Sequence, residues 1–221
     1  GGLGSPVLQY LAAAGVGRIG IVDADVVELS NLQRQVIYAT GSTGHPKAAE
    51  AASRLREINP LVATEVYPVR IAAGNAEEIL RGYDLIVDGS DNFPTRYLLN
   101  DAALLLRKPL VHGSVYRFEG QVSVFCEGDG PCYRCLFPAP PPAGLVPDCA
   151  EGGVLGVLPG IVGAIQAAEA IKVLAGAGRT LSGRMLFVDM LGTSFREVAV
   201  RRNPACPACG RGAAPGPLHD Y

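Results

Sequence analysis

Residues 2–23 read GLGSPVLQYLAAAGVGRIGIVD, and this stretch decides the fold. Gly2-Leu3-Gly4 opens an apolar run over residues 5–14, with Pro6 in its first turn and Gly15-Val16-Gly17 at its end. Proline is tolerated where a helix starts and glycine stops one, so the run predicts a helix. The strand Ile19-Gly20-Ile21-Val22-Asp23 follows at once. So short a glycine turn fits a compact βαβ unit. Glycines at a helix start let a phosphate approach backbone N–H groups and the positive end of the helix dipole. Asp23, about 20 residues beyond them, stands where a ribose hydroxyl finds its acceptor. Gly2, Gly4 and Asp23 together predict an adenine nucleotide without saying which one.

A glycine loop of this kind hangs from a preceding strand, so a further N-terminal segment carrying the sheet's first strand is expected ahead of Gly1. Downstream, Arg34 and Lys47 add two cations that a dinucleotide would not require and that suit a polyphosphate. Pro46 starts a helix to about Asn59. Lys47 in its first turn opposes the helix dipole, which an anionic ligand would compensate. Residues 31–38 are polar and too short for an amphipathic helix, and read as a loop or a single turn. Residues 64–69 and 84–88 read as strands, with a short helix at 75–81 and a helix from Pro94 to Arg107. Gly89-Ser90-Asp91-Asn92 lies past the carboxyl end of the second strand, the ligand-binding edge of an open parallel sheet. Asp91 or Asn92 also suits a helix cap before Pro94, and both roles are compatible because a cap needs one oxygen and Mg²⁺ can share another. Asp25 is either a loop carboxylate or a metal or ribose ligand. His45 reads as a loop or cap residue, and His112 as core or edge rather than a general base.

Residues 109–114 and 121–126 are consecutive strands without an intervening helix, and 184–190 and 194–200 are two more after a small-residue helix at 159–175. Antiparallel members must therefore follow the parallel ones. The expected fold is α/β: a Rossmann-like, mostly parallel sheet with helices on both faces, continued by antiparallel strands. It forms one domain over residues 1–210, with 211–221 a loose, Gly- and Pro-rich tail.

At 221 residues, 48% hydrophobic and 18% charged with a net charge of -2, the chain suits one well-cored domain and shows no basic excess for nucleic acid. The longest uncharged run, residues 152–168, is broken by Pro159-Gly160 and is shorter than the about 20 apolar residues of a membrane span. It reads as a buried helix near a subunit interface. Four of the six cysteines stand as Cys132-x-x-Cys135 and Cys206-x-x-Cys209. Two such knuckles supply four thiolates for a closed, structural Zn²⁺ site. Free thiols in this pattern point to the cytoplasm.

The order Gly1-Gly2-Leu3-Gly4, Asp23-Ala24-Asp25, Leu29-Ser30-Asn31-Leu32-Gln33-Arg34-Gln35, Pro46-Lys47, Ser90-Asp91-Asn92 and the two cysteine pairs resembles the MoeB/ThiF family. These are bacterial relatives of ubiquitin-activating enzymes that adenylate the C-terminal glycine of small sulfur carriers. The resemblance implies ATP and Mg²⁺ as cofactors, with Ser30, Asn31, Leu32, Gln33, Arg34, Gln35 and Asn92 joining Gly2, Gly4, Asp23, Lys47 and Asp91 around the nucleotide. It implies Arg34, Lys47 and Asp91 in catalysis, an arginine from the N-terminal segment reaching the neighbouring subunit, and a homodimer. The partner implied is a MoaD- or ThiS-like carrier ending in Gly-Gly, for molybdopterin, thiamin or thiolation pathways. Cys149 aligns with a cysteine that in some relatives links covalently to the carrier, although a lone cysteine between Asp148 and Glu151 has no acidifying neighbour. Two rival readings remain. An NAD-dependent Rossmann dehydrogenase explains the glycines and Asp23 but neither Lys47 nor the cysteines, and a zinc-stapled scaffold binding a carrier without chemistry leaves the phosphate-facing cations unused.

Overall fold

The computed structural model describes residues 1–142, 153–213 and 216–221. Helix α1 (Gly4–Ala13) buries Val7, Leu11 and Ala12, and the chain turns at Gly15, whose φ of 80° belongs to the left-handed region. Strand β1 (Arg18–Val22) then turns Ile19 and Ile21 inward. Residues 29–31 and 40–42 form single 3₁₀ turns. Helix α2 (Lys47–Ile58) follows Pro46. It stops at Asn59, whose side-chain amide donates to Ala12 O at 2.9 Å and ties the ends of α1 and α2 together.

Strand β2 (Ala63–Tyr67), α3 (Ala73–Arg81), β3 (Ile86–Asp88) and α4 (Phe93–Leu106) complete the alternating half. Strands β4 (Leu110–Tyr116) and β5 (Glu119–Phe125) form a hairpin, followed by the short helix α5 (Tyr133–Leu136), the long helix α6 (Leu158–Ala175), and β6 (Arg184–Asp189) with β7 (Ser194–Ala199).

The strands form two ladders. β1 and β2 pair in parallel, and β3-β4-β5-β6-β7 is a second sheet, parallel at β3-β4 and antiparallel beyond. The α/β class with antiparallel strands after parallel ones is as expected. The two ladders are separate, and β1 and β3 face each other across a cavity.

Helix α6 is long and apolar enough to cross a membrane by length and composition alone, but it packs on α1 and on the face of β4 and β5. Gly163 allows the approach to α1: a Cβ there would lie 2.4 Å from Leu3 O. Leu158, Val162 and Ala170 join Val7, Leu11, Val122 and Val124 in one core. A second core, with Tyr97, Leu110, Phe125, Tyr133 and Met185, lies between α4 and the mixed sheet.

The chain end differs from the loose tail expected. Leu218 packs on the second core, Asp220 accepts a hydrogen bond from Ala73 N at 2.8 Å, and the Tyr221 hydroxyl donates to Asp101.

Candidate nucleotide site and cysteine cluster

The start of α1, the end of β1, the start of α2 and the β3–α4 loop enclose a cavity of about 800 Å³ that continues between β1 and β3. Gly2, Gly4, Asp23, Arg34, Lys47, Asp91 and Asn92 all line it, so residues far apart in sequence converge on one cavity. No acidic residue occupies the first turn of α1, which leaves its positive end uncompensated.

Lys47 is held from two sides. Its backbone N–H donates to Asp25 O at 2.9 Å and its ammonium to Asp25 Oδ2 at 3.0 Å, while its side chain is only 6% exposed. Asp25, left open above, is thus Lys47's ion-pair partner and has a largely exposed carboxylate. Its own N–H donates to Asp23 Oδ1 at 3.0 Å, fixing the turn that brings Asp23 to the cavity. Arg34 and the exposed Asp91 carry no side-chain hydrogen bond or ion pair among the described residues, and both remain available to a ligand. Asn92 is the N-cap of α4: its Oδ1 accepts from Thr95 N at 2.9 Å.

Ser30, Asn31, Leu32 and Gln33 do not reach the cavity wall. Asn31 Oδ1 accepts from Gln35 Nε2 at 3.1 Å, the Ser30 hydroxyl donates to Glu28 at 3.4 Å, and Gln33 packs against Gly156. Asn31 therefore supports the wall through Gln35. Gln35 is 4% exposed, lines the cavity and leaves its Oε1 buried without a partner among the described residues, an acceptor suited to a ligand donor.

Tyr38 and Arg96 also line the cavity, and neither carries a motif or spacing that marks it as a site residue. Burial, then the charges of Asp23, Asp25 and Glu50, push the Tyr38 phenol pKa up, so it remains a neutral hydroxyl. Arg96, 8% exposed, stacks its guanidinium 5.1 Å from the Phe93 ring and has an unpaired buried Nε. A lone cation in the apolar α4 pattern carries no spacing by which it could be recognised.

The second site is the cysteine cluster. The Sγ atoms of Cys132, Cys135, Cys206 and Cys209 lie within 4.8 Å of one another, with separations of 3.6 Å for Cys132–Cys206 and 3.4 Å for Cys135–Cys209. Zn–S bonds of about 2.3 Å in a tetrahedron require sulfur separations near 3.8 Å, so the four thiols fit a zinc ion and leave no open position. Asn203 N–H donates to Cys135 Sγ at 3.4 Å, and Arg202 to Cys209 O at 2.7 Å, which orients both knuckles. Cys149 lies outside the described residues.

Parallel strands with a glycine-opened helix, and charged groups gathered at the strands' carboxyl ends, define a Rossmann-like α/β domain. Residues 1–208 match the family model described as the ThiF family, and the chain belongs to that family. It is 62% identical over 226 residues to the sulfur carrier protein adenylyltransferase of Thermus thermophilus, covering 100% of this chain and 83% of that one. It is 51% identical to the adenylyltransferase and sulfurtransferase MOCS3 of Mus musculus, of which it spans only 48%. The fold is shared with E. coli MccB crystallised with ATP, at a TM-score of 0.84 and 19% identity over 95% of this chain and 64% of that one.

Proposed function

We propose that this chain is an ATP-dependent adenylyltransferase that activates the C-terminal glycine of a ubiquitin-like sulfur carrier. The observation that carries the reading is the convergence of Arg34, Lys47 and Asp91 with the open start of α1 on one cavity. The names of the relatives support it.

The carrier's terminal carboxylate, with an ordinary pKa of about 3.5, is already ionised at neutral pH and needs no general base. Its oxygen attacks the α-phosphorus of ATP, and the bond to the pyrophosphate oxygen breaks. The obstacle is repulsion between anions. Mg²⁺, when bound, supplies positive charge at the phosphates. Asp91, exposed and unpaired, is the carboxylate to hold it. Arg34 and Lys47 neutralise phosphate charge, Asp23 accepts from the ribose, and Gln35 Oε1 accepts a further donor of the nucleotide. Zinc in the cysteine cluster holds the chain's two knuckles together and takes no part in the chemistry.

A homodimer is part of the proposal, as is a covalent link between Cys149 and the carrier.

The test is ATP–pyrophosphate exchange in the presence of Mg²⁺ with a panel of carriers ending in Gly-Gly. Exchange that requires one carrier supports the assignment and names the pathway. Nucleotide binding without exchange for any carrier favours a scaffold instead.

A further inference from the structure

Beneath the nucleotide site lies a buried polar pair that the proposed chemistry does not use. Asp88 ends β3 with its carboxylate fully buried, and in the parallel ladder it stands directly opposite His112 of β4. Asp88 Oδ2 accepts a hydrogen bond from His112 Nδ1 at 3.0 Å, and Oδ1 accepts from Ser90 N at 2.9 Å and from the Ser90 hydroxyl at 2.6 Å. Burial alone would raise the Asp88 pKa, but the His112 hydrogen bond, the Arg96 charge and Ser90 outweigh it and hold the group ionised. Burial keeps His112 neutral, so its ring proton sits on Nδ1 and Nε2 is a buried acceptor without a partner among the described residues.

The imidazole cannot act on a substrate. It is 1% exposed, it does not line the cavity, and the Phe125 and Tyr133 rings pack on it with centroids at 5.8 and 5.2 Å. Gln166 of α6 crosses Gly113, where any Cβ would overlap it, and donates to Asp88 O at 2.8 Å and to Val111 O at 3.3 Å. Everything around Asp88 therefore holds it still. One residue past Ser90 is Asp91, which has no partner of its own among the described residues and depends on that turn for its place.

We infer that His112 is a positioning residue for the nucleotide site: by anchoring the Asp88 carboxylate it fixes the Ser90 turn, and thereby sets how well Asp91 meets a metal-bound nucleotide. The inference rests on the proposed role of Asp91. Without the His112 hydrogen bond the Asp88 carboxylate no longer holds the Ser90 turn in one place, and the loss should be legible as about a tenfold change in Mg·ATP affinity.

The experiment is calorimetric titration of ATP into the full chain, with Mg²⁺ and with the metal chelated. His112→Leu should weaken Mg·ATP binding about tenfold and leave metal-free ATP within about twofold. His112→Asn, which places an amide donor near the Nδ1 position, should restore most of the loss. In an Asp91→Ala background, His112→Leu should add nothing further. Equal weakening with and without Mg²⁺, or no weakening, overturns the inference. A wild-type protein whose ATP affinity ignores Mg²⁺ overturns the Asp91 assignment itself, a different result from the first two. Should His112→Leu fail to fold, Ser90→Ala removes one donor to the same carboxylate at a half-buried position. It should show a smaller loss confined to Mg·ATP, and its absence also overturns the inference.

Discussion

Lys47 is a cation in an uncomfortable place. Its side chain is 6% exposed at the start of a helix, where the dipole repels it, and its ion-pair partner among the described residues, Asp25, faces solvent. A partner so exposed compensates a buried ammonium incompletely, which leaves field for a bound phosphate. Replacing Lys47 with Ala should lower carrier-dependent ATP–pyrophosphate exchange by about 10²-fold or more. Arg at this position should not restore it, because the planar guanidinium requires a wider pocket than a compact ammonium. The measurement is the exchange rate at saturating Mg²⁺, and an unchanged rate would remove Lys47 from the phosphate site. Lys47 was legible in sequence because a lysine in a first helical turn is locally unfavourable. Gln35 and Asn31 needed the structure to be told apart: both sit in one polar motif, but Gln35 turns into the cavity wall and Asn31 turns to support it.

At the scale of elements, α4, α5 and the chain end meet at Asp101. Its carboxylate accepts from Arg134 Nε at 2.8 Å and Nη2 at 2.9 Å, from Asn100 Nδ2 at 2.9 Å, and from the Tyr221 hydroxyl. The Arg134 guanidinium also stacks over the Tyr97 and Tyr221 rings, 4.6 and 5.0 Å from their centroids. Burial would raise the Asp101 pKa, but the hydrogen bonds from Arg134, Tyr221 and Asn100 and the Arg134 charge hold it below the carboxylate range. A group whose pKa is depressed by folding stabilises the protein above its unfolded pKa of about 3.9, and that stability is lost as pH falls through the folded value. Asp101→Asn should therefore cost about 1–3 kcal/mol at pH 7, and the gap from wild type should close as pH drops below about 4. Denaturant unfolding at both pH values checks this, and a gap that persists in acid would show that lost packing, not charge, is responsible. None of this junction was legible in sequence. A Gly- and Pro-rich tail reads as loose, and only the fold brings Leu218, Asp220 and Tyr221 against residues from distant elements.

For the molecule as a whole, the alternating half announced itself through period and punctuation, while the division of its sheet depended on which strands meet in space. The cysteine pairs were the clearest long-range statement in the sequence, because two knuckles must converge to fill one tetrahedral shell. Purified protein should carry about one zinc per chain, and Cys206→Ser should lose it and melt at a lower temperature, since metal binding to such a site is also folding energy. The loss should also travel. Tyr133 follows Cys132, its N–H donates to Asn100 Oδ1 at 2.8 Å, and its ring rests 5.2 Å from His112, which anchors Asp88 below the Asp91 loop. Loosening the knuckle removes one wall from the imidazole, so Cys206→Ser should weaken Mg·ATP binding in the same sense as His112→Leu and spare metal-free ATP. Titration below the variant's melting temperature separates this from general unfolding, which would weaken both. If Mg·ATP affinity survives intact in a zinc-free, folded variant, the cysteine cluster is a staple for the chain alone, and the Tyr133–His112 contact is packing without consequence for the nucleotide.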